Sequence, residues 1–165
     1  MYGLNLKLVE RFFVISKPYW FSEEKWRARG LFALLLVLLV LETQFNVRFN
    51  EQSGEFTSAL AARDAPRFFR AMRTFLALLV FAVPIFAFYY YVRDKLAIGW
   101  RRWLSYRFLG KYFDNRAYYH LLGSPEIDNP DQRIADDIAA FTQKSLSLSM
   151  MFASSWFQVL AFGRV

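Results

Sequence analysis

The stretch FLALLVFAVPIFAFYYYV, Phe75 to Val92, constrains this chain most: it runs 18 residues without a charge and carries Pro84 in its middle. A soluble helix is broken or kinked by an interior proline, whereas a helix in lipid tolerates one. The run is therefore read as the centre of a membrane span over 68–92, since the residues from Phe68 lengthen the helix towards the roughly 20 residues a bilayer requires. Tyr89, Tyr90 and Tyr91, followed by Arg93 and Lys95, mark its exit at an aqueous interface.

Two further apolar runs flank it. GLFALLLVLLVL, Gly30 to Leu41, is too short to cross alone, and its extension predicts a span over 28–49 with the far end at the interface. Glu42 then lies either near hydrocarbon, as a functional ionisable residue, or at headgroup level; the sequence leaves both open. SLSLSMMFASSWFQVLAFG, Ser145 to Gly163, has 19 residues, no charge and five serines, and predicts a third span over 143–163. Small polar residues there let membrane helices approach closely and bond across. Residues 50–67 are polar, contain Gly54 and Pro66, and read as a far-side loop with room for a helical turn.

The N-terminus is expected to form an amphipathic helix over 4–17, with Leu6, Val9 and Phe13 on one face, Leu8, Phe12 and Ile15 beside them, and Pro18 as its stop. Lys7, Glu10 and Arg11 interrupt its apolar stretch and no small-residue cleavage site follows, so it is not a signal peptide. Trp20 and Trp26, interleaved with Lys25, Arg27 and Arg29, suit a membrane interface.

Charge decides orientation. Of the 21 Lys and Arg, six lie before the first span or in its opening residues, up to Arg29, five lie on the loop between the first two spans and its shoulders, and nine run from Arg93 to Lys144. The positive-inside bias places the N-terminus and the segment 93–142 in the cytoplasm. In that segment Leu96, Trp100, Trp103, Leu104, Phe108 and Tyr112 form one stripe, read as a surface for a partner helix. A basic, aromatic helix could also bind RNA, but attachment to a strong span argues against a nucleic-acid partner.

DNPDQRIADDIAAF, residues 128–141, explains its own polarity. Asp128 or Asn129 can cap a helix, Pro130 suits its first position, and Asp131, Asp136 and Asp137 favour the positive end of the dipole. Ile134, Ile138 and Phe141 supply the apolar stripe. No G-x-x-x-x-G-K-[ST] loop is present, His120 is the one histidine, and there is no cysteine. Nucleotide cradles, His-based triads, thiolate sites and disulfides are thereby excluded from the expectation, and the chain is expected to catalyse nothing alone.

IGWRRWLS (98–105), RAYYHLL (116–122) and DNPDQRIADDIAAF, in that order and spacing, resemble the membrane domain of peroxisomal-type, ABCD-like ABC transporters. The closer likeness is to their bacterial relatives, the SbmA/BacA-like proteins. The resemblance implies an all-α membrane protein, a partial exporter-type ABC transmembrane domain whose long transmembrane helices extend into the cytoplasm. Residues 1–165 would be its N-terminal half, with 4–17 as an elbow helix and 93–142 as cytoplasmic extension and coupling region. It further implies a coupling turn around Tyr118 to Asp128, and family positions at Trp100, Arg101, Tyr118, Tyr119, Asn129, Pro130, Asp131, Gln132 and Arg133. The expected function is transport of a solute by alternating access in the bacterial inner membrane, as part of a dimer. ATP would be hydrolysed by a nucleotide-binding domain that, like the remaining transmembrane helices, lies outside this chain. Two alternatives are proton-driven peptide or cobalamin uptake, with Glu42 as a candidate carrier, and a non-transporting membrane interaction protein.

Overall fold

The computed structural model describes residues 6–114 and 130–162. Among them the chain forms four helices and no strand: α1 Leu6–Trp20, α2 Lys25–Ala61, α3 Ala65–Phe113 and α4 Pro130–Phe162. At about 1.5 Å per residue, the 37 residues of α2 and the 49 of α3 exceed the roughly 30 Å of a hydrocarbon core. Both are apolar enough to cross a membrane. Only 11% of the α3 apolar window is buried, the reverse of what a soluble core helix shows. Pro84 lies inside α3 without ending it. This is an all-α membrane protein whose spanning helices run on past the bilayer.

Two sequence expectations need correction. The expected far-side loop over 50–67 is mostly helix, because α2 continues through Gly54 to Ala61 and α3 begins at Ala65. The turn is a Schellman motif: Asp64 N–H bonds to Ala59 C=O and Arg63 N–H to Leu60 C=O, both at 3.1 Å, with Arg63 at φ 54°. Asp64 then caps α3, its Oδ1 accepting from the Arg67 N–H at 3.1 Å. Polar composition meant exposure here, not loss of helix. Likewise Pro18 does not stop α1 but sits within its last turn. Backbone N–H groups of Phe21 and Ser22 reach the carbonyls of Pro18 and Tyr19, and the Ser22 hydroxyl, donating to Tyr19 O at 2.8 Å, completes the end.

The chain divides into two compact units. In one, residues 33–61 of α2 and 65–93 of α3 form an antiparallel pair. Phe49 meets Phe75, and Phe56 meets Phe68, each with ring centroids 4.7 Å apart. A seven-residue step on each helix brings the same face round after two turns, so one register holds throughout. Arg67 pairs with Glu55 at 2.7 Å beside this seam. Leu35, Leu38, Leu39, Ala59, Ala71, Ala82 and Val92 are buried within the unit. Large side chains of α3 (Val80, Phe81, Val83) and of α4 (Phe152, Trp156, Val159) stay exposed.

The other unit combines α1, the start of α2, α3 from Asp94 and the first part of α4. Its core is Ser16, Tyr19, Ala28, Leu96, Trp100, Leu104, Ile138, Thr142, Ser145 and Leu146. Burying Leu96 and Leu104 stabilises by about 1.5–3 kcal/mol each.

Candidate functional site

The unit built on α1 and the far part of α3 holds the best-defined cluster of residues singled out from the sequence. The stripe on α3 is used within the chain. Leu96, Trp100 and Leu104 are buried, with Trp103, Phe108 and Tyr112 half-buried. Tyr19 from α1 stacks on Trp100, with centroids 5.7 Å apart and planes 10° from parallel. Trp20 meets Trp100 edge-on at 6.0 Å, and Phe141 of α4 meets it edge-on at 5.9 Å. Phe141 also touches Phe12 at 5.6 Å. Three helices thus converge on one indole.

The face of α1 that does this differs from the one read in the sequence. Phe12, Ser16 and Tyr19 turn inward, whereas Phe13 is 59% exposed. Ser16 is small, and its hydroxyl donates back to the Phe12 carbonyl, so α1 can approach closely without an unpaired polar group. Gly99 serves the same end on α3. A Cβ placed there would stand 3.3 Å from the Tyr19 hydroxyl. The Trp100 Nε1–H is buried with no acceptor among the described residues.

Polar contacts rim this cluster. Arg102 Nη2 donates to Glu24 Oε1 at 2.8 Å, tying the α1–α2 turn to α3. Beside them an open cleft of about 550 Å³ is lined by Glu24, Arg102, Trp103, Tyr106 and Arg107. Arg107 lies 5.4 Å over the Trp103 ring. Burial, with the Glu24 carboxylate adding to it and Arg27 and Arg102 opposing, pushes the Tyr19 hydroxyl up to about 12. It is a neutral hydroxyl at any physiological pH.

Of the residues carried by the resemblance, Trp100 is the aromatic centre and Arg101 beside it is exposed. Pro130 opens α4, as its place in the sequence implies, and Gln132 is exposed. Asp131 and Arg133 lie in the first turns of α4, and their side chains fall outside the described residues, as do Tyr118, Tyr119, His120 and Asn129. Glu42 is half-buried on α2, beside a buried Thr43 whose hydroxyl donates to Leu39 O at 2.9 Å. Its carboxylate lies within electrostatic reach of the buried Tyr89 on α3. Sequence reasoning passed over Tyr19, Gly99 and the Glu24–Arg102 pair. Tyr19 had a signal, seven positions after Phe12 on one helical face; the ion pair, 78 residues apart, had none.

Two helices longer than a hydrocarbon core and apolar enough to cross it define a membrane protein. The profile of the ABC transporter transmembrane region 2 matches residues 15–164 of this chain. The chain belongs to that family. It is 30% identical over 158 residues to the chloroplastic ABC transporter D family member 2 of Arabidopsis thaliana, covering 96% of this chain and 22% of the plant protein. An inner membrane ABC transporter ATP-binding protein of Escherichia coli is 29% identical over 158 residues, 94% of this chain and 28% of that protein. The lysosomal cobalamin transporter of Homo sapiens is 30% identical over 163 residues, 95% and 26% respectively. The chain therefore spans about a quarter of the length of these relatives.

Proposed function

We propose that this chain supplies membrane-spanning helices of an ABC-type transporter that moves a solute by alternating access, with ATP hydrolysed by a nucleotide-binding domain outside residues 1–165. The observation that carries this reading is the family match across residues 15–164, which covers all of α2, α3 and α4. Relatives named as ATP-binding proteins, of which the chain covers about a quarter, support a separate ATPase part. In this reading 28–49, 68–92 and 143–163 lie in the bilayer. The segment 93–142 projects into the cytoplasm, with its coupling turn around Tyr118 to Asp128 against the ATPase domain. Two such halves pair around the solute path, in the inner membrane of a bacterium.

The absence of cysteine makes the topology directly testable, since each introduced thiol reports without background. Ser58→Cys near the α2–α3 turn is expected to react with a membrane-impermeant maleimide in intact cells, and Glu23→Cys only after lysis. The reverse pattern would invert the topology. Transport itself is tested by purifying the assembly that contains this chain and reconstituting it in liposomes. Flux of cobalamin, fatty acyl or peptide probes that requires ATP supports the reading, and flux that follows a proton gradient without ATP refutes it.

That second outcome would favour uptake of the SbmA/BacA type, the reading motivated by Glu42 beside Tyr89. Loss of gradient-driven flux in Glu42→Gln would then assign the carboxylate as carrier.

A further inference from the structure

Between α1 and α2 the chain exposes an arrangement that the transport reading leaves unused. Phe21, 65% exposed, stands on the turn with two cations near its ring: Lys17 Nζ is 5.9 Å from the centroid and Arg29 Cζ 5.0 Å. Both separations fall within cation–π range. Arg29 is further fixed by its Nε, which donates to the Trp20 carbonyl at 3.2 Å. Its terminal nitrogens and the Lys17 ammonium find no carboxylate among the described residues.

The surroundings point to one occupant. Residues 7–29 carry six cations against three carboxylates, Glu10, Glu23 and Glu24, and Glu24 is engaged by Arg102. Phe13, Val14 and Trp26 are exposed by 59%, 68% and 74%. Apolar side chains of that size beside Lys17 and Arg29 match the acyl–headgroup boundary of a membrane, where an indole finds both an apolar bed and a polar rim. Both cations lie within 5.9 Å of the centroid of one exposed ring, so a single headgroup resting at that ring has a cation from α1 and one from α2 near it.

We infer that Lys17, Phe21 and Arg29 form a binding site for the phosphate headgroup of an anionic phospholipid. The inference rests on the membrane reading of the chain. It adds a lipid requirement at α1, separate from the solute path and from any ATPase contact.

The test uses the full chain in nanodiscs of equimolar phosphatidylglycerol and phosphatidylcholine, with the retained lipids read by native mass spectrometry. Enrichment of phosphatidylglycerol is expected, falling roughly five-fold for Lys17→Gln or Arg29→Gln alone and further for both, as interfacial cations do. Lys17→Arg should keep it, Phe21→Ser should weaken it, and Arg70→Gln, in the first turns of α3 and outside this cluster, should leave it unchanged. Circular dichroism checks that each variant remains helical. Enrichment that is absent in the native chain, survives the double glutamine variant, or is lost equally in Arg70→Gln overturns the site. So does displacement by inorganic phosphate, which would mark a general phosphate site. Failure of the chain to enter nanodiscs at all would instead overturn the membrane reading beneath it.

Discussion

Arg102 reaches across 78 residues of sequence to place Nη2 2.8 Å from Glu24 Oε1. The Arg102 side chain is 52% exposed and that of Glu24 29%, so solvent screens the pair. An ion pair of this kind contributes at most about 1 kcal/mol. Glu24→Gln is therefore expected to lower the apparent melting temperature in detergent by only a few degrees, less at high salt. The exchanged pair, Glu24→Arg with Arg102→Glu, should recover part of that loss. A large drop in Glu24→Gln that the exchange does not repair would show that Glu24 serves some other contact.

Tyr19 gives the unit around Trp100 a dependence on alkaline pH. Its hydroxyl is raised from 10.0 to about 12 by burial first and the Glu24 carboxylate second. Below pH 10 the group is protonated in both folded and unfolded chains and contributes no slope. Above it the unfolded chain ionises first, so stability falls until about pH 12 is passed. Denaturant titrations at stepped alkaline pH should show this slope, and Tyr19→Phe should reduce it. An unchanged slope in that variant would assign the effect to other tyrosines.

What the sequence could show follows from what each signal measures. The uncharged run around Pro84 reports lipid-facing surface directly, and α3 passes through that proline unbroken. The α3 stripe was legible because a 3.6-residue period marks a buried face wherever its partner comes from. The partner was not legible: no local pattern tells a stripe for another protein from one covered by Tyr19 and Phe141 of the same chain. The stretch 50–61 was misread because exposure on a helix and residence in a loop select the same polar residues. Only the αL residue and the Asp cap at 63–64 mark the true turn, and Arg63 hides the first because glycine is the usual sign.

That arginine makes the turn improvable. A non-glycine residue at φ 54° costs about 1–2 kcal/mol in backbone sterics. Arg63→Gly is expected to remove that strain and, after the added unfolded-state freedom of glycine, to stabilise the hairpin by a few tenths to about 1 kcal/mol. Asp64→Ala, which deletes the acceptor for the Arg67 N–H, should destabilise by about 1 kcal/mol. Hydrogen exchange of amides 58–68 reads both: slower in the first variant, faster in the second. Faster exchange in Arg63→Gly would mean the arginine side chain holds the turn.

Gly99 offers a test of the packing that seats α1 on α3. In a mid-helix position alanine is favoured over glycine by up to about 1 kcal/mol. Here the new Cβ would stand 3.3 Å from the Tyr19 hydroxyl, closer than ordinary contact, so part or all of that gain is lost unless the ring shifts. Moving the ring disturbs its stack on Trp100, where three helices meet. Removing the hydroxyl should release the conflict: Gly99→Ala is expected to be neutral or destabilising in the native chain and stabilising in the Tyr19→Phe background. Melting temperatures of the two single variants and the double variant isolate the coupling between the sites. Strict additivity would mean that α1 does not sit against Gly99, and the indole of Trp100 would then need another reason for its burial.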